Sequence, residues 1–355
     1  MKRWLCVGLI SLLMMGSLSA GEVPFDEEHW ENVDAIAGDF LGRSAISGAV
    51  RLKDVAMRNG TIEVDLAVTG MRGFPGIRFR MVDDGDFESV YVRPHKNNLP
   101  DAVQYAPSNK GMVEWQLYSG PGYTGRAHLP PLKWMRLKLD IHGDWAELTI
   151  DGQKIMKMPL KHEGDGGGIL LNAAPKGHAW YTNFKYTPRE AAGGEPAETV
   201  AIAEGTVRQW QLSPVLKTED LDTEVYPGKV AGDKWQTVSV DGPGWANISK
   251  VHAKERGWAT VLARAEVNAD QAKRVRLKIG YSDRVDLFVN GEKVFRGIGE
   301  FRSHDQTYLG IVGLNDVVYV DLKKGKNEIM AMVHERFGGW AVWAQIEDLN
   351  RENVH

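Results

Sequence analysis

The feature that most constrains this chain is an alternation with a period of two. Ile62, Val64, Leu66 and Val68 fall on one side of an extended segment while Glu63 and Asp65 fall on the other. Ile77, Phe79 and Met81 oppose Arg78 and Arg80 in the same way. Met135, Leu137, Leu139 and Ile141 alternate with Arg136, Lys138 and Asp140, and Ala146, Leu148 and Ile150 follow the turn His142-Gly143-Asp144. Successive side chains of a strand point to opposite faces, so each run predicts a strand with one buried face. Asp151-Gly152 is a strong two-residue hairpin turn, and Asn290-Gly291 closes a second one. Short strands bounded by Gly, Pro, Asn and Asp, with almost no helical period, predict an all-β chain built from β-sandwiches.

Length sets how many sandwiches there are. The 355 residues exceed the roughly 100–200 expected of one domain, and the alternation lapses at Pro188-Arg189-Glu190-Ala191-Ala192-Gly193-Gly194-Glu195-Pro196, an exposed linker composition. Strands resume around 260–267, 275–279, 285–289, 317–322 and 328–333. The expected organisation is two β-sandwich (jelly-roll) domains in tandem, over 22–190 and 205–350, joined by a linker over 191–204. Residues 1–20 read as a secretory signal: Lys2 and Arg3, an apolar run over 4–15, then Ser17-Leu18-Ser19-Ala20, with cleavage before Gly21. Export to the periplasm or beyond follows, and no later stretch is apolar enough to span a membrane. Cys6 is the only cysteine, so the mature chain has no disulfide and no thiolate nucleophile. Lysine plus arginine number 43 against 47 acids, a net charge of -4, so no chain-wide basic field exists to hold nucleic acid.

The polar side of the first-half strands carries the chemistry. With the apolar members turned inward, that side collects Glu63, Asp65, Arg78, Arg80, Tyr91, Arg93, His95, Glu114, Gln116 and Tyr118. Arginine, tyrosine and histidine suit planar or hydroxylated ligands better than the lysine and threonine of an ordinary solvated face. Sugars fit, because hydroxyls need fixed donors and acceptors while aromatic rings cover the C–H faces of a pyranose. Trp134, Trp145, Trp180, Tyr118 and Tyr123 are the stacking candidates. The bland alternatives are core packing for the tryptophans and cross-strand ion pairs for the arginines.

Catalytic readings are narrower. Glycoside hydrolysis uses two carboxyl groups about 5–9.5 Å apart, and Glu63 with Asp65 offers one such pair. A lyase needs a group to neutralise a uronate and another to move the proton; Arg78, Arg93, Gln116, His95 and Tyr118 are of those types. Asp83-Asp84-Gly85-Asp86 lacks the spacing of a helix-loop-helix calcium site and reads as a hairpin tip. No metal or cofactor is expected, and no phosphate-cradling loop is present in the sequence.

Several motifs carry a family resemblance. Tyr91-Val92-Arg93-Pro94-His95, Trp115-Gln116-Leu117-Tyr118, Gly120-Pro121-Gly122-Tyr123 and Trp180-Tyr181-Thr182-Asn183-Phe184-Lys185-Tyr186 resemble a bacterial concanavalin A-like lectin/glucanase domain of the laminarin-G-like or 3-keto-disaccharide-hydrolase-like kind. The resemblance implies a sugar-directed sandwich over 22–190. Laminarinase-type relatives carry Glu-x-Asp-x-x-Glu on a strand; here Glu63-Val64-Asp65 is followed by Val68 where the third acid belongs, which argues against that mechanism. The second half, with Tyr281-Ser282-Asp283-Arg284-Val285-Asp286-Leu287-Phe288-Val289-Asn290-Gly291 and Phe337-Gly338-Gly339-Trp340, is similar to galactose-binding-like jelly rolls, which implies an accessory role; the bland alternative is that it only stabilises or positions the first sandwich, with Trp340 and Trp343 packed inside it. The expectation is an exported protein that recognises carbohydrate, biased towards acidic polysaccharide, on one concave polar face formed by Arg78, Arg80, Tyr91, Arg93, His95, Gln116, Tyr118 and Tyr123. The alternatives are a glycan-degrading hydrolase or lyase, with Glu63, Asp65, His95 and Tyr118 as catalytic candidates, and a structural cell-envelope protein.

Overall fold

Alternating runs become strands because each can bury its apolar side only against another sheet. In chain order the first half forms β1 (Trp30–Phe40), β2 (Arg43–Leu52), β3 (Asn59–Val68), β4 (Gly76–Met81), β5 (Glu88–Val92) and β6 (Val103–Tyr105). It continues through the short β7 (Ser108–Asn109), β8 (Met112–Val113) and β9 (Thr124–Gly125) to β10 (Trp134–His142), β11 (Trp145–Ile150), β12 (Gln153–Pro159), β13 (Gly168–Asn172) and β14 (Ala179–Arg189). The coordinates are a computed structural model that describes residues 21–348 apart from 163, 165, 192 and 231. The signal expected over 1–20 lies outside the described residues.

The strands pair in the order β12-β11-β10-β3-β14-β2-β13-β4-β5-β6-β9, with β1 on β2. β14 pairs with β3 along most of its length but in register with β2 only at Tyr181 and Ile46, so the run folds over there into two layers. Their inner faces share one core, Ile62, Val64, Leu66, Leu137 and Leu139 from one layer and Val50, Ile77, Phe79 and Val90 from the other. The hairpin signal is realised: Asp151 and Gly152 both take positive φ, 49° and 77°, between paired Ile150 and Gln153.

The described residues of 191–203 form no strand. The second half is another sandwich. A six-stranded sheet, in spatial order Gln236–Ser239, Gln209–Leu212, Ala259–Ala269, Gly325–Glu335, Arg284–Val289 and Glu292–Ile298, shares a core with a four-stranded sheet, Ala246–Asn247, Ala341–Asp348, Lys273–Tyr281 and Asp316–Leu322. The protein is therefore all-β, two sandwiches in tandem. Among the described residues no helix is long and apolar enough to cross a membrane.

The two sandwiches are packed together. Trp245, Val312 and Ala341 of the second half belong to the first-half core, with Trp343 against it, and Trp245 lies edge-on to both Tyr118 and Trp343, ring centroids 5.8 Å apart in each case. Trp340 is buried in the core of its own sandwich. Backbone bonds stitch the seam, Gln116 N–H to the Gly338 carbonyl and Val312 N–H to the Gln116 carbonyl, both 2.9 Å. Gly338 sits at φ 108°, and a Cβ there would overlap the Gln116 side chain, so the close approach requires glycine.

Candidate functional site

A cleft of about 500 Å³ lies where the outer face of β4, β5 and β13 meets second-half residues 301–309 and Phe337. Its floor follows from the strand phase. Arg78 pairs with Ser89 and Gly76 with Tyr91 across β4 and β5, and Tyr91 pairs with Gln104 of β6, so these residues stand on the side opposite the core. A Cβ on Gly76 would lie 2.6 Å from Tyr91 Cβ, so glycine is what lets the Tyr91 side chain lie there.

The cleft is electropositive. Arg72, Arg78, Arg93, Lys96 and Arg302 line it, and among the described residues no aspartate or glutamate does. All four guanidiniums lie over aromatic rings: Arg72 over Phe74 at 5.6 Å, Arg78 over Phe87 at 4.5 Å, Arg93 over Tyr91 at 5.6 Å and Arg302 over Phe301 at 4.8 Å. A guanidinium held flat on a ring keeps its edge donors free for a planar anion. Among the described residues Arg72, Arg78 and Arg302 have no side-chain hydrogen bond or ion pair beyond these rings. Burial, together with the Arg51 charge, depresses the Arg78 pKa against the opposing pull of Asp84, yet the group stays charged at neutral pH. An unpaired, half-buried charge is costly and invites an anionic ligand.

Arg93 plays a different part. Only 6% exposed, it donates to Asp101 at 2.9 Å, to the Tyr91 hydroxyl at 3.4 Å and to Gln104 Oε1. Gln104 in turn donates to the Trp115 carbonyl at 2.7 Å and the Tyr118 carbonyl at 2.9 Å. The network fixes the backbone that carries the Trp115 ring. That ring meets Phe301 and Phe337 at 5.8 and 6.2 Å, an aromatic wall drawn from both halves. His95 sits edge-on to Phe74 with its Nδ1 buried and without a hydrogen-bond partner. Burial, with Arg72, Arg93 and Lys96 nearby, lowers its pKa, so the imidazole is neutral at pH 7.

The single polar face expected from alternation divides. Arg78, Tyr91, Arg93 and His95 meet in the cleft. Arg80 turns inward: at φ 50° its backbone breaks the alternation, and the side chain donates to the carbonyls of Arg58 at 2.8 Å and Gly143 at 2.6 Å. Glu114, Gln116 and Tyr118 are not on a strand at all. Leu117 and Tyr118 N–H both bond to the Glu114 carbonyl, a helical turn that sends Gln116 to the seam and Tyr118 into the core. Tyr123 is core too, stacked 5.9 Å from Tyr105. Buried between the halves, Glu114 accepts from Asn109 and Asn247, each 2.9 Å, and burial pushes its pKa up to about 8.

Glu63 and Asp65 lie on the outer face of the opposite layer. Arg136 bridges them at 3.1 Å to each, while Arg43 and Asn183 bond Asp65 at 2.7 Å. The pair is consumed by ion pairing and faces away from the cleft. Trp134 and Trp180 share that outer face with Phe40, and Trp145 stacks 4.1 Å from His142. At the acidic hairpin tip Asp83 Oδ1 accepts from Gly85 and Asp86 N–H, closing the turn. Among the described residues no group of three or more His, Cys, Asp or Glu is placed to hold a metal ion. Arg72, Trp115, Phe301, Arg302 and Phe337 were not singled out as site residues from the sequence: Arg72 lies on a loop outside the alternating strands, and the other four come together only where the two sandwiches dock.

No protein-family model matches the chain, and comparison with curated proteins gives no match. Solved structures similar to part of it include the carbohydrate binding module CBM66 from Bacillus subtilis (17% identity, 44% of this chain and 94% of that one, TM-score 0.35). Others are the β-glucanase of Bacillus licheniformis (13% identity, 48% and 100%, TM-score 0.34) and the galectin LEC-6 of Caenorhabditis elegans (11% identity, 46% and 99%, TM-score 0.30). Each likeness covers less than half of this chain.

Proposed function

We propose that the protein binds carbohydrate in the cleft between its two sandwiches, and that the glycan is acidic. The observation that carries this is the lining: guanidiniums of Arg72, Arg78 and Arg302 over aromatic rings, with no carboxylate among the described lining residues. The rings would cover sugar C–H faces while the guanidinium edges pair with carboxylates. Residues 22–190 and 205–350 act as two domains in this reading, the second completing the site rather than serving as an accessory, and the 1–20 signal places the protein outside the cytoplasm. The test is retention on a panel of neutral and acidic polysaccharides at low and high salt, with an assay for new reducing ends. Binding to acidic members that weakens with salt supports the reading; equal binding to neutral glycans, or none to any acidic one, overturns it. Glycoside hydrolysis by a carboxyl pair finds no support in the cleft, whose described lining residues offer no carboxyl group.

A lyase reading is favoured by one observation, the neutral His95 with its unpartnered Nδ1 among cations. Such an imidazole suits removal of a proton next to a neutralised uronate carboxylate. Ultraviolet absorbance from an unsaturated uronate would establish that activity.

A further inference from the structure

Two of the three unpaired guanidiniums of the cleft, those of Arg78 and Arg72, stand at separated places on its floor. Arg78 is on β4 opposite Ser89 of β5, its guanidinium over Phe87. From Ser89 the chain runs four residues to Arg93, beside which Phe74 packs edge-on to Tyr91 and His95 with Arg72 over the Phe74 ring. At about 3.3 Å per residue these places are roughly 13 Å apart along the strand. Between them the floor is Gly76 and the Tyr91 ring, with no free charge.

A single sugar carrying one carboxylate meets only one of these guanidiniums at a time. We infer that the cleft is built for a chain of two or more acidic sugars, one anionic group held at Arg78 and another at Arg72, with an uncharged stretch of the chain lying over Tyr91. The inference rests on the acidic-glycan reading above and adds length and charge spacing to it. It also assigns Arg72, an exposed residue of the loop before β4, as a length-reading contact. Two anchors on one ligand act in concert, so affinity climbs when both are reached.

The test is calorimetric titration of the full protein with galacturonate, mannuronate and glucuronate as monomers and as oligomers of two to four units. A sulfated galactan series of the same lengths tells sulfate from carboxylate. The inference expects at least a tenfold gain in affinity between monomer and tetramer in one or more series. Arg72→Ala removes that gain, and Arg78→Lys, which keeps the charge without the planar fork, shrinks it. Equal affinity for monomer and tetramer in every series that binds overturns the length inference and leaves the acidic-glycan reading standing, and an unchanged gain in Arg72→Ala overturns the assignment of Arg72. No binding in any series overturns both.

Discussion

Arg78→Met separates the two roles an arginine can have on a sheet. The wild-type guanidinium's one close contact is with the Phe87 ring, 4.5 Å from its centroid, worth about 0.5–1 kcal/mol. It has no ion pair to lose, and methionine keeps an unbranched stem against the ring while removing a half-buried charge. The stability change should lie within about 1 kcal/mol in either direction, which for a chain of this size shifts Tm by no more than about 4 °C. Binding should respond much more. A hydrogen bond to a charged partner contributes about 1.5–3 kcal/mol, so losing this contact weakens an acidic glycan roughly tenfold to a hundredfold. The salt dependence of binding should also flatten. Calorimetric titration and thermal melts of both proteins decide it. Undiminished affinity, or a fall in Tm beyond about 8 °C, would refute the assignment of Arg78 as a ligand contact.

Three more outcomes follow from the geometry. Arg93→Ala should unfold more easily by roughly 3 kcal/mol, because removing one partner of a buried ion pair strands the other; a chemical-denaturation midpoint equal to wild type would contradict the network through Asp101 and Gln104. The carboxyls of Glu114, Glu88 and Asp283 are raised by burial to about 8, 7 and 6. The folded state therefore keeps protons that the unfolded chain has released, and stability should fall as pH rises from about 4.5 to 8. Glu114→Gln should remove up to about 1.4 kcal/mol per pH unit from that slope, and a slope unchanged in thermal melts would argue that Glu114 is ionised. Burial raises Asp241 while Lys250 and Lys161 outweigh it and hold it near 2, so its contribution is present at neutral pH and lost only as pH falls below about 4. Trp245→Ala should cost about 3–5 kcal/mol and lower a single calorimetric transition shared by both halves; a variant that melts in two steps, one at the wild-type temperature, would show that the halves are independent.

Alternation read the strands well wherever the backbone kept its period. Ile62 to Leu66 and Met135 to Ile141 are inward as phased, and the hairpin at Asp151-Gly152 closes as its residues require. The same logic placed Arg78 and Tyr91 on the outer side. It lost Arg80 because one residue at positive φ reverses direction, and Tyr118 because Glu114 starts a helical turn where strand phase was assumed. It put Glu63 and Arg78 on one face because phase along a strand does not tell which of two layers the strand joins. The aromatic wall was illegible for another reason: Trp115, Phe301 and Phe337 are far apart in sequence and meet only when the sandwiches dock.

The central claim is that an acidic glycan lies in the cleft between the sandwiches, and a crystal structure of the protein soaked with a uronate tetramer tests it most directly. The account predicts sugar density across Tyr91, with carboxylates at Arg78 and Arg72 and residues 301–309 above. Density on the opposite layer, beside Glu63, Asp65, Trp134 and Trp180, with the cleft left unoccupied, would contradict it.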